Sequence, residues 1–213
     1  KDLEFGTAGM RGLIGLGTNM MNVHVVKKAT QGLAEYIKTL GEGAKKKGVV
    51  ISYDTRRCSY EFAYATALVL VSNGINAHLF TEVHPVPMLS FAVREMKAIA
   101  GVMITASHLP FNRNGFKFFT AQGGLEKSDI KEIIEFAESD EKTNLEKGSY
   151  CEAEFMDTYS KILADKIRVA TGEEKPLEGF KIVVDAGNGA AGGGHYHHPL
   201  RQRCGTRHCQ RNA

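Results

Sequence analysis

No apolar run in the 213 residues approaches the roughly 20 needed to cross a bilayer, so neither a membrane-spanning helix nor a membrane partner is expected. The opening Lys1-Asp2-Leu3-Glu4 has no apolar leader and no initiator Met, which points to a missing natural N-terminus and a cytoplasmic chain. Cysteine is scarce: of four, only Cys58 and Cys151 precede residue 191, which argues against a disulfide framework and suits a reducing compartment. Basic charge is also thin, although the net value is +3. Arg201, Arg203, Arg207 and Arg211 supply more than all of that excess and leave residues 1–190 at −1. A nearly neutral body has no basic stripe for nucleic acid, so none is expected as a partner. Gly187-Asn188-Gly189 falls short of a full G-x-G-x-x-G turn and lacks the helix that should follow, which argues against a dinucleotide.

What is present is ordinary globular material, 43% hydrophobic and 24% charged. The length allows one sizeable core, or one domain and the start of another. Val25, Val26, Ala29, Leu33, Tyr36 and Ile37 recur at helical spacing, predicting a helix over 22–40 that Gly41 can end. A β-branched strand at 48–53, an apolar helix at 59–72, a strand at Ala77–Phe80, a helix after Pro87 and a strand at Ala98–Ile104 follow. A loop, a strand near Phe116–Phe119 and an amphipathic helix at 127–139 come next. Strands separated by helices imply parallel pairing with right-handed crossovers. The expected fold is therefore a three-layer α/β/α domain with a mostly parallel mixed sheet.

Residues 138–150 are polar and without period, reading as a linker or exposed turn before a helix at about 151–168. FKIVVDAGNG, from Phe180, has the pattern of a buried strand entering a glycine turn, the way a fresh α/β unit begins. The expected organisation is a first domain at 1–150, and a linker helix with the truncated start of a second domain at 151–190. Residues 191–213 hold four of eight His and two of four Cys, with one isolated Leu. They are expected to be disordered and foreign to the fold, and their His195, His197, His198, Cys204, His208 and Cys209 lack a frame to orient a metal.

The chemistry concentrates in Thr105-Ala106-Ser107-His108-Leu109-Pro110 and the following Asn112, Asn114, Gly115 and Lys117. Ser107 directly follows a strand, and ligands bind at the carboxyl ends of parallel strands. His108 beside it, and Lys117 past an expected tight Asn114-Gly115 turn, could reach a phosphate. Phosphoryl transfer needs a carrier, cations against the phosphate oxygens and proton shuttles, and this one segment offers all three. Spacing alone leaves the bland alternative open, that a Ser-His pair in a loop is solvated surface. Asp54 and Arg56, in a strand-to-helix turn, are read as structural, Asp54 capping the turn and Arg56 paired internally.

The segment from Thr105 to Lys117 strongly resembles the phosphoserine loop of the α-D-phosphohexomutases, T-A-S-H-N-P-x-x-x-N-G-x-K. Glu4 through Gly12 resembles the family's F-G-T-x-G-x-R-G, Tyr53 through Ser59 its D-x-R-x-S turn, and Val184 through Gly189 the D-x-x-x-G segment opening its second domain. The resemblance implies reversible conversion of hexose 1-phosphate to hexose 6-phosphate, with Mg²⁺ and a hexose 1,6-bisphosphate activator. Ser107 would carry the phosphate and lend one of its oxygens to the Mg²⁺. His108 and Lys117 would be acid/base or charge-stabilising groups, and Arg11 would hold the phosphate through paired hydrogen bonds. Thr105, Asn114 and Gly115 would support the loop.

Two departures stand out. Leu109 replaces the usual Asn, removing a hydrogen-bonding side chain from the loop. The family's acidic D-G-D-G-D-R metal loop, its G-E-x-S-G-H sugar loop and its C-terminal phosphate-gripping loop do not occur in the sequence. The chain alone is therefore expected to carry phosphate without turning over sugar. A non-catalytic phosphosugar-binding or interaction fragment is the alternative.

Overall fold

The computed structural model describes residues 5–6, 9–124, 127–138, 147–183 and 185. The motif at 184–189, apart from Asp185, and the stretch 191–213 lie outside the described residues. Two compact units divide the chain, residues 1–159 and 160–213.

In the first unit the elements are β1 (Phe5–Gly6), β2 (Gly9–Leu13), α1 (Val23–Thr39), α2 (Glu42–Lys47), β3 (Val49–Tyr53), α3 (Ser59–Ser72), β4 (Ala77–Phe80) and α4 (Val86–Glu95). Then come β5 (Ala100–Ile104), β6 (Arg113–Thr120), β7 (Gly123–Gly124), α5 (Lys127–Glu138) and β8 (Tyr150–Ala153), with α6 (Met156–Thr171) running on into the second unit. The sheet order is β1-β2-β6-β5-β3-β4-β8, with β7 beside β6. Pairing is parallel through β5, β3, β4 and β8 and antiparallel from β5 through β6 to β2 and β1. The change of sense has a local cause: β5 and β6 are joined by the serine loop, with no helix between them to carry the chain back across the sheet.

Both faces of the central strands are buried, as the largely apolar Val49–Tyr53 and the apolar Ala100–Ile104 require. Val49, Ile51, Val102, Ile104 and Phe116 meet Leu33, Ile37, Phe62, Leu70 and Ile133 from α1, α3 and α5. On the other face Val50 and Met103 meet Met88, Leu89, Ala92 and Val93 of α4. Alternation along each strand assigns the two sets. Asn22 caps α1, its side chain accepting from the Val25 amide at 3.0 Å.

The expected helices and strands from 22 to 139 are present, the strand near Phe116–Phe119 extending back to Arg113, and two other expectations are corrected. The helix expected from residue 151 begins at Met156, because Tyr150–Ala153 instead form β8, parallel to β4 at the sheet edge. Asn114-Gly115 is no turn: both lie inside β6, laddered to β2 on one side, with the strand's later residues laddered to β5 on the other. In the second unit α6 buries none of its residues, and the buried strand expected from Phe180 is a further correction: residues 180–183 pair with no described strand, and Phe180 and Val183 are exposed without regular structure.

The helices packed on the sheet are themselves tightly apposed. A Cβ at Gly32 of α1 would strike the Ile133 carbonyl oxygen and lie 2.8 Å from Ala137 Cβ of α5. Gly32→Ala gains about 1 kcal/mol of helix propensity but overpacks a backbone contact at about 1–3 kcal/mol. The net expectation is a lowered Tm, and thermal unfolding that showed a raised Tm would contradict this packing.

Candidate active site

The serine loop starts where β5 stops. Thr105 is buried, and its amide donates to the Gly115 carbonyl at 3.0 Å, the last rung before the chain leaves the sheet. Its hydroxyl then accepts from the Ser107 amide at 2.9 Å, and the Leu109 amide donates to the Ala106 carbonyl at 3.1 Å. These bonds wind the chain into a tight turn. Ser107 sits at its apex with φ of 60°, a left-handed conformation costing an L-residue about 1–2 kcal/mol. Ser107 and His108 are exposed, whereas Ala106 immediately before them is fully buried. The turn thus lifts one hydroxyl out of a rigid floor.

A second turn, after β3, braces the first. The Asp54 amide donates to the Ile104 carbonyl at 3.2 Å, placing the two strand ends side by side. Asp54 Oδ1 accepts from the Arg56 amide at 3.0 Å and from Ser59 Oγ at 2.9 Å, fixing the entry to α3. Arg56 then reaches across to the serine loop. Its Nη2 donates to the carbonyls of Ser107 at 2.6 Å and Leu109 at 2.7 Å, and its Nη1 to those of Pro110 at 3.0 Å and Arg113 at 3.2 Å. Leu109 thus contributes to the loop through its main chain, which its side-chain identity does not alter.

Asn114 is fully buried and ties β6 to the same turn. Its Nδ2 donates to the Arg57 carbonyl at 2.9 Å and to Ser59 Oγ at 3.0 Å, and its Oδ1 accepts from the Gly115 amide at 2.8 Å. Gly115 must lack a side chain: a Cβ there would lie 2.6 Å from the Met10 carbonyl oxygen, 2.7 Å from that of Thr105 and 2.8 Å from Arg11 Cγ.

Arg11 stands opposite Gly115 in the β2–β6 ladder, so its stem crosses the space that glycine leaves. Its Nε is buried with no hydrogen-bond partner among the described residues. Lys117, two residues further along β6, projects from the same face. Burial pushes the Lys117 ammonium below its ordinary proton affinity, and the Arg11 guanidinium pushes it the same way, while the Asp54 carboxylate opposes them. Two cations are thus held close together on one side of the loop. The structure brings Arg11, Thr105, Ser107, His108, Asn114, Gly115 and Lys117 to the loop or the strand ends beside it. Sequence reasoning kept Arg56 apart as a purely structural residue; its link to the loop spans 51 residues to Ser107.

The Asn114 anchor is separable from the exposed groups. Asn114→Ala removes two donated bonds and leaves the Arg57 carbonyl without its side-chain donor, a loss of about 1–3 kcal/mol. Urea unfolding should show a lower midpoint with an unchanged slope; an unchanged midpoint would contradict the anchor.

Comparison with known proteins identifies the domain. Residues 2–144 match the family model described as phosphoglucomutase/phosphomannomutase, alpha/beta/alpha domain I. The phosphoglucomutase of Staphylococcus saprophyticus is 42% identical over 150 residues, covering 70% of this chain and 27% of that protein. A human phosphopentomutase is 39% identical over 127 residues, covering 57% of this chain and 21% of its own. The crystal structure of a putative phosphomannomutase from Thermus thermophilus superposes with a TM-score of 0.66 at 28% identity, over 78% of this chain and 36% of that one. The chain spans about a quarter of the length of the curated relatives it matches. With the serine loop, the paired cations and a family match running through both, the chain belongs to the phosphoglucomutase/phosphomannomutase family and carries its α/β/α domain I.

Proposed function

We propose that this protein transfers phosphate on hexose phosphates through Ser107, interconverting the 1-phosphate and the 6-phosphate as a cytoplasmic enzyme of carbohydrate metabolism. The observation that carries the reading is the pairing of an exposed, left-handed Ser107 with a buried guanidinium Nε of Arg11 that has no partner among the described residues. A buried N–H without an acceptor is costly, and a phosphate oxygen would relieve it.

In the proposed reaction the phosphoserine gives its phosphoryl group to a sugar hydroxyl. The phosphorus–Oγ bond breaks, a phosphorus–sugar oxygen bond forms, and the hydroxyl proton passes to a base while Oγ recovers a proton. The resulting bisphosphate turns and returns its other phosphoryl group to Ser107, so a hexose 1,6-bisphosphate also primes the serine. His108, beside the nucleophile and exposed, suits proton transfer. Lys117 suits charge stabilisation, and its lowered proton affinity brings it nearer to acid/base work than an ordinary lysine. Arg11 neutralises the phosphate oxygens from the sheet side.

Mg²⁺ is a separate matter. Among the described residues no group of three or more His, Cys, Asp or Glu could hold a metal ion. Ser107 could offer it at most a phosphate oxygen, so the described residues do not by themselves fit the ion. That same observation favours a second reading, a phosphosugar-binding module without turnover. The choice of sugar also lies beyond these residues: relatives named for glucose and for pentose phosphates match them at similar identity.

Incubation with glucose 1,6-bisphosphate should place one phosphate on Ser107, read by mass spectrometry, and Ser107→Ala should take up none. Uptake by the alanine variant at the same stoichiometry would sink the assignment. Conversion of glucose 1-phosphate separates the enzyme from the binding module, which would bind it unchanged.

Lys117 gives a prediction with a definite sign. Folding lowers its proton affinity, so its charge costs stability at every pH below the lowered folded value. The cost fades as pH rises from that value towards the ordinary 10.5. Lys117→Met should therefore raise Tm at pH 7 while slowing phosphate uptake, and the Tm gain should shrink at alkaline pH. A lowered Tm at pH 7 would contradict this reading.

A further inference from the structure

Two arginines approach the serine loop, and their hydrogen bonding sorts them into different jobs. A guanidinium has five N–H donors in a rigid planar fork. Arg56 commits four of them to main-chain oxygen and ion-pairs through the fifth, at Nε. The four go to the carbonyls of Ser107, Leu109, Pro110 and Arg113 at 2.6–3.2 Å, and Nε faces Asp54 Oδ2 at 3.4 Å. All four Nη donors are taken, Nε is turned to the Asp54 carboxylate, and the side chain is only 14% exposed. Arg11, by contrast, keeps a buried Nε open.

We propose that Arg56 is a positioning residue for phosphoryl transfer, which holds Ser107 in its left-handed conformation by gathering the loop carbonyls on one guanidinium clamped by Asp54. The inference rests on the proposed phosphoserine role of Ser107 and adds a residue that never touches the substrate. The Ser107 and Leu109 carbonyls flank the exposed turn, and one nitrogen binding both fixes the path of the backbone between them. Pro110 and Arg113 extend the grip to the start of β6, so the loop is held at both ends by one planar group. The Asp54 amide in turn is bonded to the end of β5, so the clamp and the loop share one floor. A lysine at 56 would keep the charge but, as a single point, could not span four carbonyls.

The test compares wild type, Arg56→Lys and Asp54→Asn in the intact protein, with glucose 1,6-bisphosphate as phosphoryl donor. Arg56→Lys should lower the rate constant for Ser107 phosphorylation at least tenfold, with the half-saturating concentration of donor within twofold of wild type. The ¹³Cα and ¹³Cβ shifts of Ser107 should leave their left-handed values. Asp54→Asn, which keeps the fork and loosens its clamp, should give a smaller change in the same direction, and it decides the matter should the lysine variant not fold. A wild-type rate with unchanged Ser107 shifts would overturn the proposal. So would a loss confined to the half-saturating concentration, which would make Arg56 a substrate-binding group. Wild-type protein that takes no phosphate at Ser107 would defeat the phosphoserine reading instead. The Ser107 shifts would then decide the role of Arg56 alone, movement supporting it and constancy refuting it.

Discussion

A loop that leaves the end of a parallel strand carries backbone carbonyls with no ladder to enter, and each must find a donor or stay in water. Here three of them, from Ser107, Leu109 and Pro110, turn towards one guanidinium, which also takes the Arg113 carbonyl at the start of β6. Hydrogen bonds to a charged group contribute about 1.5–3 kcal/mol each, so even one of them can offset the 1–2 kcal/mol or so that a left-handed serine costs. The exposed hydroxyl and its orientation depend on that convergence. Without it the apex keeps the Ser107–Thr105 and Leu109–Ala106 bonds, and the return to β6 keeps the Arg113–Pro110 and Ile14–Asn112 bonds.

The site divides its positive charge by task. Arg56 is saturated by main-chain oxygen and by Asp54, and so acts as scaffold. Arg11 and Lys117 lie on the neighbouring face, close enough for the guanidinium to depress the ammonium's proton affinity. Two like charges held together in a partly buried place are unfavourable until an anion arrives. That unfavourable pairing is what a phosphate would relieve, and it ties a stability cost in the free protein to binding in the loaded one.

Much of this was legible in the sequence. Helices α1 and α3 and strands β3 and β5 announce themselves through apolar periodicity and β-branched runs, and the serine loop through its position after a buried strand. Strand β8 was not legible. Tyr150, Cys151 and Glu152 are exposed, and the segment joins β4 through backbone pairing at an edge, which leaves no apolar signature. Asn114-Gly115 misled for a physical reason: Asn-Gly is a strong hairpin signal, yet here the asparagine is a buried anchor and the glycine makes room for Arg11. Nor could spacing reveal that Arg56 would close on carbonyls more than fifty residues away, since main-chain acceptors have no residue type to read.

Arg11 Nε, buried and open among the described residues, awaits a phosphate oxygen. The most direct measurement follows the Arg11 Nε–H resonance by ¹H–¹⁵N NMR while glucose 1,6-bisphosphate is added to the Ser107→Ala protein, where binding proceeds without covalent transfer. The account predicts a saturable shift to lower field as the buried N–H gains an acceptor. A resonance that stays in place while the amides of residues 107 and 108 respond to the ligand would contradict it, because the phosphate would then be held without the buried guanidinium donor that the described residues leave open.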